Sequence, residues 1–575
     1  MMENFSQVLQ KYYQDSPDQI AVHLLYSRQT EQTLTYRSLM SSACGYARAL
    51  IKAGVEPGEV VVLILDHSEA LVSAFFGSVL LGAIPTIMPF LSEKLSPDHY
   101  RKSLSALFEI TAPSAVITRP EFAPEVQAAK AGQRDTGLRT VLIADEIDSR
   151  PAAECGSGAQ DSFAGLKRSA DEVVLLQHSS GTTGLQKGVA LSHRAVFNQL
   201  ESYSRALHLT AEDVIVSWLP LYHDMGLIAG FLLPILNRVP LVLMSPFDWV
   251  RAPYKLLQAV SNYRGTLTWM PNFAYNFCAQ KIRARDLQAV DLSSWRAVIN
   301  CSEPMHWRSH QAFLESFQPY GLRPEALATC YAMAENVFAV TQGGIDTPVS
   351  VDQVSQEVLL SHQEAVPMPN SDGATRMLSA GRPIVNTRLR ILDPQGRELP
   401  ERQIGEIALQ SDCMLDGYYH RSDLTEKAFL DGWYLTGDLG YLANGELYVT
   451  GRKKDLIIVG GKNIYPQDLE RLAGEVPGIH PGRVVAFGVF NERSGTEDVV
   501  IIAEIEQETL LQSAGGKKQL TAIADEIRGR VTRGSDVALR YVKLVGKDWL
   551  IKTSSGKIAR LANRAKYLAE LATMP

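Results

Sequence analysis

The sequence has few cysteines and no excess of basic residues, which are features that some classes of protein require. Its six cysteines are scattered through 575 residues without a Cys-x-x-Cys pair or a Cys/His cluster. This spacing predicts neither a disulfide framework nor a zinc site, and it favours a reducing compartment such as the cytoplasm. Basic residues are not in excess, since the net charge is -7 and the pI is near 6.0. A global positive field for nucleic acid is therefore excluded.

The first residues of the sequence do not resemble a targeting signal, so none is expected. They are polar and include acidic side chains, with no apolar core after a basic cluster. The uncharged run 70–92 is 23 residues long, which is enough to span a bilayer by length alone. Gly77, Gly82, Pro85 and Pro89 interrupt this run. We therefore expect a buried helix that continues into a strand and no stable membrane span, with a span as the alternative.

Apolar strand-like runs alternate with amphipathic helical windows through most of the chain. This alternation predicts an α/β fold with a large N-terminal domain, residues 1–450, of parallel and mixed sheets covered by helices. After Arg382, short alternating strands and Asn-Gly-type turns predict a β-barrel-like subdomain. Residues 456–575 also alternate strands and helices, which predicts a small, separate α+β domain.

Charge and loop content are distributed unevenly. Residues 451–575 contain 20 Lys and Arg against 15 Asp and Glu, a net charge of +5, whereas residues 1–450 have a net charge of -12. The segment 341–375 is polar and contains one helical-looking piece, 351–363. A segment of that length inside a compact enzyme is usually functional or mobile.

The segment 173–189, VVLLQHSSGTTGLQKGV, predicts a strand that leads into an anion-binding loop. Small residues let the backbone approach a phosphate, hydroxyls and amides donate to it, and Lys187 adds a positive charge. It is not a Walker A loop, because Lys187 precedes Gly188 and no Gly-Lys-Ser/Thr follows. A plain Ser/Gly-rich hairpin is the alternative. The candidate phosphate-binding residues are Ser179, Ser180, Gly181, Thr182, Thr183, Gly184 and Lys187.

Together with this loop, six further segments make the chain resemble the adenylate-forming superfamily, which includes acyl-CoA synthetases, luciferases and nonribosomal adenylation domains. They occur in the expected order, and the resemblance covers almost the whole chain. The segments are WLPLYHDMG (218–226), CSEP (301–304), YAMAE (331–335), YLTGD (434–438), GRKKD (451–455) and TSSGKI (553–558).

Longer strings favour the fatty acyl-AMP ligase branch, and the long stretch from Glu335 to Gly381 looks like the insertion typical of that branch. The resemblance implies ATP- and Mg²⁺-dependent activation of a medium- or long-chain fatty acid to acyl-AMP. Acyl transfer to the phosphopantetheine thiol of an acyl carrier protein would follow. Alternatives are a fatty acyl-CoA synthetase that uses free CoA and a non-catalytic acyl-adenylate-binding regulator. The strings are WLPLYHDMGLI (218–228), MSPF (244–247), PNFAY (271–275), DLSSW (291–295) and YPQD (465–468).

The resemblance also implies roles for single residues. Lys557 would stabilise charge during adenylation, and Glu335 would bind magnesium. Residues 451–455 would be a hinge, with Lys454 as the hinge residue, so that the domain 456–575 would be mobile. His223 would be a gate or carboxylate donor at the mouth of the acyl pocket, with a hydrogen-bonded structural histidine as the alternative. Asp438 would accept the ribose hydroxyls, with a turn-capping role as its alternative. The ATP-binding set also contains Ser302, Glu303, Pro304, Tyr331, Ala332, Met333, Ala334 and Arg452.

The acyl tunnel is expected near 225–236, with plain core packing as the alternative. Its other expected lining residues are Trp269, Phe273, Tyr275 and Phe277.

Three positions depart from the superfamily pattern. Leu185-Gln186 replaces x-Pro before Lys187, Ala332 stands where glycine is usual, and Cys301-Ser302 replaces Gly-Ala. None of them removes a charged candidate group, so the sequence still predicts adenylation.

Overall fold

The computed structural model places most of the chain in sheets covered by helices, as the alternating pattern predicted. It describes residues 4–27, 29–91, 97–131, 137–148, 163–179, 187–369, 371, 373–459, 462–491, 496–512, 516–535, 539–553 and 556–573. Five of the candidate phosphate-binding residues lie outside the described residues, namely Ser180, Gly181, Thr182, Thr183 and Gly184.

A nine-stranded mixed sheet forms the centre of the molecule. Across the sheet the order is Arg382–Pro383 (β17), Ala339–Gly343 (β14), Leu327–Ala332 (β13), Ala297–Asn300 (β12), Leu267–Met270 (β11), Ile215–Ser217 (β9), Leu241–Met244 (β10), Ile20–Leu25 (β1) and Gln32–Thr35 (β2). The strands from β13 to β1 pair in parallel, and antiparallel strands complete both edges. In open α/β sheets, ligands bind beyond the carboxyl ends of such strands.

A second sheet of four parallel strands has the order Ile84–Ile87 (β4), Val60–Ile64 (β3), Ala115–Thr118 (β5) and Thr140–Ile143 (β6). The uncharged run 70–92 contains helix Glu69–Leu81 and strand β4, so the expected helix and strand are confirmed. Gly77 is needed there, because an added Cβ would lie 2.5 Å from Cβ of Tyr46. In the described part of the chain, no helix is long and apolar enough to cross a membrane.

Helices of widely different length pack on the two sheets. Helix Glu69–Leu81 is apolar on all sides and is buried almost throughout, as expected of a helix enclosed by other elements. The helices up to residue 317 are Phe5–Asp15 (α1), Tyr36–Lys52 (α2), Glu69–Leu81 (α3), Pro97–Thr111 (α4), Ala123–Ala131 (α5), His193–Ala206 (α6), Leu233–Leu236 (α7), Pro246–Arg251 (α8), Tyr254–Tyr263 (α9), Asn272–Lys281 (α10) and Trp307–Phe317 (α11).

Two further sheets are antiparallel. The three-stranded one has the order Gly417–Tyr418 (β20), Lys187–Ser192 (β8) and Val173–Ser179 (β7). The five-stranded one contains Thr387–Leu392 (β18), Gly405–Ser411 (β19), Phe429–Leu430 (β21), Trp433–Ala443 (β22) and Glu446–Arg452 (β23), with helix Ser422–Lys427 (α13) beside it. The five-stranded sheet occupies the region where short alternating strands were predicted.

The helical-looking piece 351–363 is not a single helix, so that prediction is wrong. Val351–Ser355 is a strand (β15) paired antiparallel with Ala374–Leu378 (β16), and only Gln356–Ser361 is helical (α12). Residues 351–355 form a strand because they pair with residues 374–378. Such pairing with a distant segment overrides the local preference for a helix.

Residues beyond the predicted hinge form a small α+β unit with its own apolar core around Leu469, Ile501 and Ile527. Within the segment 451–455, residues Lys453–Asp455 make a 3₁₀ turn. The domain boundary at 450 and the mobility of this unit stay predictions. Its elements are Ile457–Val459 (β24), Lys462–Ile464 (β25), Pro466–Gly474 (α14), Ile479–Asn491 (β26), Thr496–Ile505 (β27), Thr509–Gln512 (α15), Gly516–Ser535 (α16), Tyr541–Val545 (β28) and Arg560–Thr573 (α17).

Candidate functional site

The motifs converge because most of them follow the carboxyl ends of neighbouring parallel strands. Trp218 follows β9, Ser245 follows β10, Pro271 follows β11, Cys301 follows β12 and Met333 follows β13. The topology therefore brings segments that are distant in sequence to one edge of the central sheet.

The candidate phosphate loop begins and ends at paired strand positions. Ser179 is the last residue of β7, Lys187 is the first residue of β8, and the two positions are paired across the hairpin. The ammonium group of Lys187 lies over the ring of Tyr418, 4.4 Å from its centroid. This cation–π contact holds the charge of Lys187 at the point where the loop rejoins the sheet.

Glu335 is held by tyrosine hydroxyls. It lies in a 3₁₀ turn, Ala334–Asn336, between β13 and β14, and its Oε1 accepts a hydrogen bond from the hydroxyl of Tyr418 at 2.8 Å. The hydroxyls of Tyr418 and Tyr434 are 2.9 Å apart. Val337, the residue after this turn, has φ 62° and ψ -55°. Positive φ is strained for a β-branched residue, and such strain clusters at functional sites.

Asp438 receives two side-chain donors. The hydroxyl of Tyr331 donates to Oδ2 at 2.7 Å, and Nε of Arg452 donates to Oδ1 at 3.1 Å. Strands β22 and β23 place Asp438 directly opposite Arg452. The carboxylate raises the pKa of Arg452, while burial and then Asp438 raise the pKa of Tyr331. Three predicted nucleotide-binding residues are thus in direct contact.

Lys557 reaches the central sheet from the C-terminal unit. Its Nζ donates to the backbone carbonyl of Ser302 at 2.7 Å, and Ser302 itself has a positive φ of 68°. Burial lowers the pKa of Lys557, although the carboxylates of Glu303 and Asp224 pull it upward. Gly556, at φ 84°, provides the left-handed backbone of this loop.

The segment around His223 is rich in charge for a partly buried position. Nδ1 of His223 lies 2.5 Å from Oδ1 of Asp224. Burial raises the pKa of Asp224, but His223 and Lys557 more than reverse this and lower it. Burial raises the pKa of Glu303, whose Oε2 accepts the backbone N–H of Phe273 at 3.0 Å. The structure therefore brings His223, Glu303 and Lys557 into one cluster.

The other residues of the nucleotide set lie on the turns beside these groups. Pro304 follows Glu303 in the turn between β12 and α11, and Ala332 ends β13. The backbone N–H of Met333 donates to the carbonyl of Phe338 at 2.8 Å, which closes the turn around Ala334 and Glu335.

Lys454 completes a group of three cations. Burial lowers its pKa, and the neighbouring Arg452 and Lys187 lower it further. Arg452 and Lys454 belong to one segment, and the carboxylates of Asp455 and Asp438 offset part of the positive charge. A group of cations of this kind suits an anionic ligand such as a phosphate. The resemblance placed Lys454 at a hinge, and the charge of Lys187 is one of the causes that lower the pKa of Lys454.

The predicted acyl segment contains a π-helix, Met225–Leu232, whose eight residues are all buried. Such helices are frequent at functional sites. Gly226 is required by close packing, because an added Cβ would lie 2.2 Å from the carbonyl oxygen of Pro220. This enclosed apolar segment directly follows Asp224.

The four other expected lining residues differ in environment. Trp269 and Tyr275 belong to the core under the site, since Trp269 donates to Tyr203 and Tyr275 donates to the carbonyl of Val298, each at 2.8 Å. Phe273, by contrast, is 42% exposed, and Phe277 packs against the core. These hydrogen bonds involve only the polar atoms of Trp269 and Tyr275, so the expectation that the two residues line an acyl tunnel stays a prediction.

Sequence reasoning missed Tyr418 and Asp224 as members of the site. Asp224 is the one acidic residue of the recognised segment 218–226, and this is the signal that could have identified it. Tyr418 lies in a two-residue strand outside all the motifs, and its importance arises from contacts with Lys187, Glu335 and Tyr434. No local pattern selects it.

Comparison with known proteins agrees with this arrangement. A family model described as AMP-binding enzyme matches residues 9–419. The medium-chain fatty acid–acyl carrier protein ligase JamA of Moorena producens is 30% identical over 560 residues, covering 93% of this chain and 90% of its own length. The 4-hydroxyphenylalkanoate adenylyltransferase of Mycobacterium marinum is 31% identical over 557 residues, covering 93% and 86%.

A solved structure, from work on fatty acyl-adenylate ligases of E. coli and L. pneumophila, has the same fold throughout. It superposes with a TM-score of 0.87 at 27% sequence identity, covering 100% of this chain and 99% of its own. The predicted α/β architecture of parallel and mixed sheets with covering helices is confirmed.

Proposed function

Since this chain belongs to the AMP-binding enzyme family, as its motifs predicted, we propose that it activates a fatty acid with ATP and transfers the acyl group to the phosphopantetheine thiol of a carrier protein. The first step forms acyl-AMP and releases pyrophosphate. The observation that carries this proposal is the bond from Lys557 to the carbonyl of Ser302, which joins residues 255 positions apart at the candidate site.

In the proposed adenylation, the fatty acid carboxylate attacks the α-phosphorus of ATP while pyrophosphate leaves. Lys557 neutralises the charge that develops between the carboxylate and the α-phosphate, a contribution that preorganised donors make effectively. Asp438 accepts the ribose hydroxyls with Arg452 beside it, and Tyr331 stacks on the adenine. Lys187, with Thr182 and Thr183, holds the β- and γ-phosphates; the position of Lys187 at the end of the candidate phosphate loop supports its assignment.

Magnesium fits the residues present. Mg²⁺ binds through one or two carboxylates together with phosphate oxygens rather than through a protein cage. No cluster of three or more His, Cys, Asp or Glu that could hold a metal exists among the described residues, and a single carboxylate, Glu335, meets the requirement. Glu335 would hold the ion, which would supply charge neutralisation for the phosphates when bound.

A fatty acid is the substrate class that the apolar segment supports best. The buried residues 225–232 follow the charged cluster of His223 and Asp224 directly. This order suits a ligand that has a carboxylate at one end and an apolar chain at the other. The name of the Moorena producens relative gives a medium-chain fatty acid as its substrate. His223 would then act at the mouth of the pocket as gate or carboxylate donor.

A carrier protein is the proposed acceptor, and the inserted segment supports it. Nε2 of Gln356 donates to the carbonyl of Gly534 at 2.9 Å, and Leu359 shares a buried cluster with Tyr465. The insertion is thus joined to the C-terminal unit by a hydrogen bond and by shared apolar packing. An attachment that favours one domain arrangement biases which thiol is accepted, and about 1.4 kcal/mol changes that ratio tenfold.

Acid-dependent pyrophosphate exchange tests the first half-reaction. We expect exchange of labelled pyrophosphate into ATP that requires both Mg²⁺ and a fatty acid. A chain-length series of acids then identifies the preferred substrate. Absence of exchange with every acid would contradict adenylation and favour the non-catalytic regulator.

Competition between thiols tests the second half-reaction. The protein is incubated with ATP, Mg²⁺, the best fatty acid, and equal concentrations of CoA and a holo carrier protein. We expect acyl-carrier product in excess over acyl-CoA, with the apo carrier as the control that lacks the thiol. Efficient formation of acyl-CoA would show instead that the protein is a CoA synthetase.

A further inference from the structure

The ring and the hydroxyl of Tyr418 contact two candidate catalytic groups from different segments. The ring lies under the ammonium of Lys187, 4.4 Å from centroid to Nζ, and the hydroxyl donates to Glu335 at 2.8 Å. One side chain therefore fixes both the phosphate-loop lysine and the carboxylate that is proposed to bind magnesium.

The backbone around Tyr418 connects the same two segments. Strand β20 pairs with β8, so that Tyr418 is opposite Val189, and the N–H of Tyr419 donates to the carbonyl of Gly188 at 2.7 Å. On the other side, the N–H of Leu415 donates to the carbonyl of Glu335 at 2.9 Å. Backbone hydrogen bonds thus join the segment of Tyr418 to the segments that carry Lys187 and Glu335.

A second tyrosine, Tyr434, extends this contact into a chain of hydrogen bonds in which the donor of each bond can be assigned. A phenol has one proton, and Tyr418 donates its proton to Glu335, so Tyr434 donates to the oxygen of Tyr418 across 2.9 Å. Tyr434 lies on β22, the strand that carries Asp438. The chain from Tyr434 through Tyr418 to Glu335 therefore links the ribose-side strand with the magnesium-side turn.

We propose that Tyr418 is a positioning residue for adenylation, which orients Glu335 toward magnesium and holds Lys187 toward the phosphates. This inference rests on the proposed function in one respect, namely that Glu335 binds the metal. Groups that orient a metal ligand in this way usually change metal affinity by about 10- to 100-fold when they are removed. The hydroxyl and the ring act on different groups, so their effects are separable.

The test measures binding of Mn²⁺, as a paramagnetic substitute for Mg²⁺, by electron paramagnetic resonance in the presence of α,β-methylene-ATP. We expect Tyr418→Phe to weaken Mn²⁺ binding by about 10-fold or more. Nucleotide affinity measured in EDTA should change less than twofold, because phenylalanine keeps the ring under Lys187. Tyr263→Phe is the matched control, since Tyr263 donates to Glu31 at 2.5 Å on the surface, and it should change neither quantity.

A double-mutant cycle with Glu335→Gln separates positioning from structural damage. If the tyrosine acts through the carboxylate, Tyr418→Phe should change Mn²⁺ affinity less than twofold in the Glu335→Gln background. An equal effect in both backgrounds, or Mn²⁺ affinity unchanged by Tyr418→Phe alone, would overturn the proposal. Wild-type protein that binds Mn²⁺ no more tightly than Glu335→Gln would overturn the assignment of Glu335 as well, which distinguishes the two failures.

Discussion

Arg560 binds Asp455, the last residue of the predicted hinge, through a contact of 2.5 Å between Nη1 and Oδ2. The same guanidinium also binds Glu470 at 2.8 Å, and Arg560 lies three positions after Lys557. Asp455 is 8% exposed and Arg560 18%. This buried cluster joins the hinge, the first helix of the C-terminal unit and the base of the Lys557 loop.

Arg560→Met should therefore destabilise the protein. Removal of one partner of a buried ion pair leaves uncompensated carboxylates and typically costs about 3–5 kcal/mol. The measurement is denaturant unfolding, with Arg37→Met as control, because Arg37 and Asp18 form an exposed pair whose loss should cost less than about 1 kcal/mol. Equal stability of the two variants would contradict a structural role for Arg560.

Lys557→Ala should reduce acid-dependent formation of acyl-AMP by about 10²–10³ without loss of the fold, because one preorganised charge donor is removed. Single-turnover acyl-AMP formation is the measurement. Lys547→Ala removes an exposed lysine of the same unit and should leave the rate unchanged. Near wild-type adenylation by Lys557→Ala would show that another group supplies the charge.

The lowered pKa of Lys557 gives adenylation a pH dependence. The cation is the active form, and burial favours the neutral amine, so the rate should fall as pH rises through a value below the ordinary lysine pKa of about 10.4. Arginine stays protonated throughout this range. The residual rate of Lys557→Arg should therefore lack this alkaline fall, and an identical fall in both proteins would assign it to another group.

Much of the fold was accessible from the sequence, because buried parallel strands are apolar runs that alternate with helices. The location of the site followed from motifs placed after such strands, as Trp218 and Cys301 show. The pairing of β15 with β16 was not accessible, since strand pairing depends on a partner distant in sequence. For the same reason no local pattern revealed Tyr418, and the bond from Lys557 to Ser302 depends on how two separately packed units meet.

ATP binding should depend on Asp438 more than on Thr182. Asp438 already accepts bonds from Tyr331 and Arg452, and a carboxylate makes charge-assisted bonds to ribose hydroxyls that are roughly twice as strong as neutral ones. A threonine hydroxyl in a loop with many amide donors has neighbours that compensate for its loss. Calorimetric titration of Asp438→Ala and Thr182→Ala with ATP measures this, and a larger loss for the threonine variant would reverse the ranking.

Loosening the insertion should relax acceptor choice. A full deletion of 351–363 would remove β15 and leave β16 without its partner. It would also remove the bonds of Asp352 to Arg402 and Tyr441, so a change in acceptor choice could come from damage to the fold. Paired substitution of Gln356 and Leu359 by alanine removes only the contact with Gly534 and part of the cluster around Tyr465.

We expect this double variant to form acyl-AMP at the wild-type rate and to raise acyl-CoA production about tenfold, the equivalent of about 1.4 kcal/mol. The control is Val351→Thr, which nearly preserves the side-chain volume at an exposed position of the same segment. The ratio of acyl-CoA to acyl-carrier product should also be measured at two salt concentrations. This comparison separates the effect of the insertion from the effect of the net charge of +5 on residues 451–575, because salt screens only the electrostatic contribution. Unchanged CoA rejection by the double variant would show that the insertion does not control the acceptor.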